Sequence, residues 1–349
     1  MSTLGKKITS RYIGCFSDIH LGLGQDSKNW HKIALDFAKW ASKYYEDKYI
    51  DEIIICGDIF HNRSEISVET LSVAKEFFDY FKNFSAVYIL AGNHDSYYKE
   101  NSLVNSIALL DGWNNIHIID KTPLVLETNY PKKLSLIPWG TEIDNMPKVD
   151  MMFGHFEISS FYMNSYKMCE HGMSSANLFN VAKYVVSGHF HKKDHRSYDN
   201  GEIIYVGSPY QQNFGDAHDQ RGIYIIDLSN NNFEFIENTI SPKHIKLSIN
   251  GDGFDNEELI KNNFISLVID EKIDQEKVLS IQAKIAACNP LNLRLDYDKP
   301  EEKIESNDEE KDYSSSDLWK NIEEYIETLD IENKKDVVDY VKNLYNTLS

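Results

Sequence analysis

Five times before residue 192 a short apolar run stops at a residue able to hold a metal. The stops read Ser17-Asp18-Ile19-His20, Gly57-Asp58-Ile59-Phe60-His61, Gly92-Asn93-His94-Asp95, Gly154-His155 and Gly188-His189-Phe190-His191. The runs before them, Tyr12 to Phe16, Ile53 to Cys56, Val87 to Leu90, Met151 to Phe153 and Tyr184 to Val186, have the length and composition of buried strands. A strand carries a ligand rigidly to the edge of a sheet, and glycine lets the backbone turn tightly enough to aim it. Aspartate, histidine and asparagine are the side chains that a pair of borderline-hard divalent cations would take. One such segment would say little; five in order imply a two-metal hydrolase.

Helical stripes separate the first three stops. Ile33, Phe37, Trp40, Ala41 and Tyr44 form one within Trp30 to Tyr45, and Val68, Leu71, Ala74, Phe77, Phe78 and Phe81 form the next. A further helix is expected over Leu103 to Leu110. Later runs, Leu134 to Ile137, Ile203 to Val206, Ile223 to Ile226 and Phe233 to Ile236, read as strands. The expected architecture is α/β: two sheets packed as a sandwich, flanked by helices, with the site at the C-terminal ends of the strands.

At 349 residues the chain is long for one domain, and the pattern divides it. Residues 1–241 hold the sandwich. Residues 242–298 read strand (His244 to Ile249), loop, strand (Phe264 to Ile269), helix (Glu276 to Cys288), strand (Leu291 to Tyr297), a small α+β module. Residues 299–317 are rich in Glu, Asp, Ser and Lys and are expected to be a flexible acidic linker. Residues 318–349 carry two amphipathic stripes: Leu318, Ile322, Tyr325, Ile326 and Leu329, then Val337, Val338, Val341, Leu344, Tyr345 and Leu348. This helix pair either folds back on the body or docks on a partner, and the acidic tether favours docking.

No run approaches the roughly 18 consecutive apolar residues of a membrane span, and the N-terminal stretch lacks a signal-peptide core. A cytoplasmic protein is expected. Cys15, Cys56, Cys169 and Cys288 are scattered without Cys-x-x-Cys spacing, which argues against a disulfide framework or a zinc knuckle. The net charge of −19 argues against strong autonomous binding to a polyanion. Fifteen acids against six bases after residue 299 concentrate part of that charge away from the motifs. Two bound divalent cations would add positive charge where a phosphate must sit.

As a mechanism, the constellation assigns Asp18, His20 and His191 to one ion and Asn93, His155 and His189 to the other, with Asp58 bridging. His189 and His191 are spaced by two, so a regular strand would send both from one face. His94, next to a ligand, is a candidate general acid for the leaving oxygen, with Asp95 holding its other nitrogen. His61 is placed to contact a phosphate oxygen or the substrate. His31, His117, His171, His195, His218 and His244 fall outside the pattern and read as ordinary histidines.

The order Asp-x-His, Gly-Asp, Gly-Asn-His-Asp, Gly-His, Gly-His-x-His resembles the calcineurin-like metallophosphoesterases. Ser17 to Gly22, Gly57 to His61, Ser187 to His191, Pro138-Trp139-Gly140 and Gly207-Ser208-Pro209 further resemble the SbcD-type DNA repair nucleases. The short length and closing helices are similar to the smaller recombination-endonuclease subunits of tailed phages. The resemblance implies a manganese-dependent DNA exonuclease and endonuclease (magnesium also possible), dimeric, working with an SbcC-type coiled-coil ATPase. It implies that residues 242–298 cap the nuclease and help present DNA, and that residues 318–349 dock on the ATPase coiled coil. The alternative function is a metallophosphatase or phosphodiesterase acting on a non-DNA phosphoester. A non-catalytic scaffold fits poorly, because unused ligands would be costly buried polar groups.

Overall fold

The computed structural model describes residues 7–163, 167–248, 257–270 and 273–298, with isolated helical positions at 334, 335, 337, 338 and 342. The apolar runs that precede the metal-binding stops all form strands. The first sheet has six, in the spatial order Asn232–Glu237, Gly222–Asp227, Tyr12–Phe16, Glu52–Ile55, Ala86–Leu90, Ile116–Ile119. From Tyr12–Phe16 onward its strands are parallel. The second has seven: Lys7–Ile8, Leu124–Thr128, Lys133–Leu136, Val149–His155, Ala182–Gly188, Gly201–Tyr205 and Asp194–Tyr198. Its middle four are parallel as well, so both sheets deliver strand C-termini to one edge.

Alternation along the central strands places one set of side chains between the sheets and the other under the helices. Ile13, Cys15, Ile54, Cys56, Tyr88 and Leu90 face Leu134, Leu136, Met151, Phe153, Val186 and Ile204 in the sandwich core. Phe16, Ile53, Ile55, Val87 and Ile89 face the other way, onto Phe37 of helix Lys28–Asp47 and Phe77 and Phe78 of helix Val68–Asp79. The outer face of the second sheet is covered by Phe161 and Leu178 packed on Val185, Ile203 and Tyr205. The expected helical-flanked sandwich is therefore the observed one.

Two local expectations differ. Leu103 to Leu110 is not an α-helix: a 3₁₀ turn spans Ile107–Leu110. The preceding residues are drawn back toward the third motif, where Tyr97 N donates to Val104 O and Ser106 N to Asp95 O, so helix bonds cannot start earlier. Strands Ile116–Ile119, Leu124–Thr128 and Asp194–Tyr198 carry no long apolar run and were not expected.

Residues 244–298 form a third sheet of three parallel strands, His244–Ser248, Phe264–Asp270 and Asn292–Asp298. Helix Gln275–Ala287 seals it, with Val278, Ile281 and Ile285 against Ile265, Leu267 and Ile269. This sheet belongs to the same compact unit as the sandwich, and the chain divides after Asp298. Its seam with the body is aromatic. Phe264 stacks on Trp30 at 5.0 Å between ring centroids and on His244 at 4.5 Å, and all three rings are near parallel. The expected linker over 299–317 lies outside the described residues. So does the expected helix pair over 318–349, apart from the five helical positions named above.

Candidate metal centre

Four of the seven expected ligands sit in the left-handed region of backbone space: Asp18 (φ 58°), His20 (φ 53°), Asp58 (φ 54°) and His189 (φ 89°). Such a conformation costs a non-glycine residue about 1–2 kcal/mol, and it persists where the surroundings over-determine it. Three of the five strands, those before Asp18, Asp58 and His189, end in such a turn, whereas His155 is the last residue of its own strand. Glycine serves the site mainly as space. A Cβ at Gly92 would strike the Asp58 carboxylate, and one at Gly57, itself at φ 96°, would lie 2.6 Å from His155 Nδ1.

The side chains meet. His20 Nε2 lies 3.1 Å from His191 Nε2 and 3.6 Å from Asp58 Oδ2. His155 Nε2 lies 3.3 Å from Asp58 Oδ2 and 2.9 Å from Asn93 Oδ1, and the same oxygen faces His189 Nδ1 at 2.9 Å. Asp58 thus stands between a His20/His191 side and an Asn93/His155/His189 side. Among the described residues, Asp18, His20 and His191 form one group of donors within 4.8 Å of one another, and Asp18, Asp58 and His155 form a second.

This donor set suits divalent cations. His155 Nδ1 faces the Cys56 carbonyl at 2.6 Å, so Nδ1 carries the proton and Nε2 presents its lone pair to two oxygens. A positive charge at that point relieves the repulsion, either a proton on Nε2 or a metal ion. Burial works against the imidazolium, but Asp58 overrides it and raises His155 to about 9, a proton standing where a metal would sit. Burial alone would raise the Asp58 carboxyl, yet the charges of His155 and His94 hold it well below the ordinary carboxylate range. Burial pushes His20 and His189 well below the ordinary imidazole range, keeping them neutral as metal ligands must be. Nitrogen and carboxylate oxygen in one buried site match manganese, iron or zinc better than calcium.

His94 is brought to the site, but its support differs from the expectation. Its Nδ1 faces the backbone carbonyl of His61 at 2.7 Å, so Nδ1 must donate and Nε2 points free of that bond. The Asp95 carboxylate is not its partner. It accepts from the backbone N–H of Ile59 (2.9 Å), Phe60 (3.0 Å) and Gly92 (2.9 Å), tying the second motif to the third. Burial and the nearby Asp58 raise Asp95 to about 7 against the pull of two of those amides, from Phe60 and Gly92. Adjacency in sequence pairs Asp95 with His94, but the turn at 93–95 sends the two side chains apart. His61 stacks on His94 at 5.7 Å and 12°, and His94 sits edge-on to His20 at 4.7 Å. These three histidines make a further cluster that sequence reasoning did not assemble.

His189 and His191 also arrive by a different route. The strand ends at Gly188, and the turn at His189, not strand alternation, sends His189 to Asn93 and His191 to His20. Two clamps were missed in the sequence. Tyr210 Oη donates to Ile19 O at 2.6 Å and Gln212 Nε2 to Asp18 O at 2.7 Å, holding the first motif from behind. They follow Gly207-Ser208-Pro209, which was the only signal that this loop matters. Among the described residues no helix is long and apolar enough to cross a membrane.

The profile of the calcineurin-like phosphoesterases matches residues 12–193. The chain is 31% identical over 232 residues to exonuclease subunit 1 of Enterobacteria phage T4, covering 63% of this chain and 66% of the relative. It is 29% identical to a phosphoesterase, 244L, of Invertebrate iridescent virus 6, over 51% of this chain and 64% of the relative. It is 27% identical to the DNA double-strand break repair protein Mre11 of Methanocaldococcus jannaschii, over 62% and 63%. The match thus spans just under two thirds of each of these relatives.

Proposed function

Because the chain belongs to the calcineurin-like phosphoesterase family, we propose that it is a manganese-dependent DNA exonuclease and endonuclease subunit, acting with an SbcC-type ATPase in recombination and double-strand-break repair. The observation that carries this reading is the convergence of Asp18, His20, Asp58, His155 and His191 donors on one strand edge. The likeness to an exonuclease subunit and to a break-repair protein supports DNA as the substrate.

Asp18, His20 and His191 would hold one ion, Asn93, His155 and His189 the other, with Asp58 between them. When bound, such a pair polarises the phosphate and supplies a nucleophilic water at neutral pH. The protein's own part is orientation. Asp95 and Gln212 fix the loops, and the His61 carbonyl aims His94 so that its Nε2, once protonated, can give a proton to the leaving oxygen. Residues 242–298 would help present DNA, residues 318–349 would dock on the ATPase, and the subunit would act as a homodimer.

The test is manganese-dependent degradation of end-labelled linear duplex DNA, with bis-p-nitrophenyl phosphate as the control substrate and Asp58→Ala as the blank. Duplex degradation lost by at least about a thousandfold in the variant is expected, since Asp58 touches both sides of the site. Turnover of the small diester alone, with the ATPase present, would move the physiological substrate to a non-DNA phosphoester.

A further inference from the structure

Beside the Asn93/His155/His189 side of the centre lies a cavity of about 330 Å³ that shares only His155 with the expected ligands. Trp139 lines it beside His155: its ring centroid is 5.3 Å from that of His189 and 5.9 Å from that of His155. Pro138, Phe156 and Met173 extend the apolar lining. The rim is acidic, with Glu100, Glu142 and Glu157 against Lys99. A phosphate would be repelled here, whereas a flat, uncharged ring would find an aromatic face and carboxylates able to accept its amino edge.

The wall is rigid before anything binds. Trp139 N donates to Ala91 O at 2.9 Å, its indole Nε1 to Lys99 O at 2.7 Å, and Thr141 Oγ1 to Pro138 O at 2.8 Å. Gly140, at φ 77°, lies so close to the next loop that a Cβ would be 2.8 Å from Asn101 Cα. A preformed slot costs little reorganisation on binding. Its volume is within the range of small-molecule sites, at the lower end, which suits one base and its sugar.

We propose that this cavity is a nucleobase subsite: when a phosphate sits on the metal centre, the neighbouring base leaves the stack and lies against Trp139. The proposal rests on the nuclease reading above. It makes an unpaired or frayed nucleotide the preferred substrate, because extrusion is cheapest there. Trp139 is then a specificity-determining residue and not a catalytic one.

The experiment crosses the substrate with the protein. Single-stranded oligonucleotides with one abasic position, moved stepwise along the strand, are cleaved by the wild-type protein and by Trp139→Ala in manganese. At one position relative to the cut, the wild type should show a KM raised about tenfold, the size of one lost base–aromatic stack. In Trp139→Ala, intact and abasic strands should have equal KM. A purely structural effect of the substitution would lower kcat on both strands and on bis-p-nitrophenyl phosphate alike, leaving the tenfold difference in place, and would overturn the proposal. So would a wild-type protein indifferent to the abasic position. Failure to cut any oligonucleotide while hydrolysing the small diester would instead overturn the nuclease reading on which the subsite rests.

Discussion

The metal-bearing loops and the seam under the third sheet are both buried, yet they are held by opposite means. The loops are fixed by directional polar bonds: Asp95 to three backbone amides, Tyr210 to Ile19 O, Gln212 to Asp18 O, His155 to Cys56 O. Those bonds hold backbone at Asp18, His20, Asp58 and His189 that would relax without them. The seam is a pile of flat rings, Trp30, Phe264 and His244, whose contact energy varies slowly with sliding. A site that must place donors within tenths of an ångström is built from bonds that break when moved. The joint between the sandwich and the third sheet is built from surfaces that tolerate displacement.

The largest effect should come from His94, which uses the loop architecture without being part of it. Removing the imidazole in His94→Ala takes away the proposed proton donor and its bond to the His61 carbonyl, but leaves the Asp95, Tyr210 and Gln212 ties in place, so DNA cleavage should fall about a hundred- to ten-thousandfold. Metal content, measured by elemental analysis after dialysis, should stay at the wild-type level. Loss of bound metal would show that His94 belongs with His20 and His61 as a ligand, an arrangement their proximity allows.

The contrast between loops and seam is tested more directly by a pair of stability measurements. Asp95 is fully buried, and Asp95→Ala leaves the amides of Ile59, Phe60 and Gly92 without acceptors. At about 1 kcal/mol or more for each stranded group, unfolding in urea should be easier by roughly 3 kcal/mol. Phe264→Leu in the seam keeps an apolar side chain of similar bulk and should cost less than about 1.5 kcal/mol. Equal losses would mean that the seam is as exacting as the loops, and the distinction would fall.

How much of this was legible follows the same division. The strands behind the five motifs and the convergence of the residues at their ends could be read, because a run such as Ile53 to Ile55 followed by Gly57-Asp58 states both burial and a stop. What could not be read was backbone acting as a partner. The His61 carbonyl that orients His94 and the amides that occupy Asp95 have no side-chain signature, so the sequence points to the adjacent aspartate as support for His94. Tyr210 and Gln212 reach across about 190 residues of sequence to the first motif, and no local pattern announces a contact of that span. Strand Asp194–Tyr198 was invisible for a simpler reason: it pairs on one side only, at the sheet edge, and its side chains are polar. The seam was hidden as well, since Trp30 reads only as the start of a helical stretch and His244 as an ordinary histidine.

His244 gives the smallest effect and the finest measure of the seam. Burial against Phe264 disfavours its charged form, and Arg294 and Arg221 add to that against the opposing Asp216, lowering His244 to about 4. In the unfolded chain it titrates near 6.5. Between these values the unfolded state binds the extra proton, so stability rises with pH there. The contribution is complete above about pH 6.5 and is lost as the pH falls toward 4. Between pH 7 and pH 5 the loss should be about 1–2 kcal/mol. His244→Phe keeps a flat ring and removes both the titration and a buried Nδ1 that has no hydrogen-bond partner. Urea unfolding at both pH values should therefore show a smaller acid loss in the variant by about that amount. An identical loss in both proteins would place the acid sensitivity elsewhere, in the carboxylates of the body, and would mean that the seam admits enough water to solvate an imidazolium.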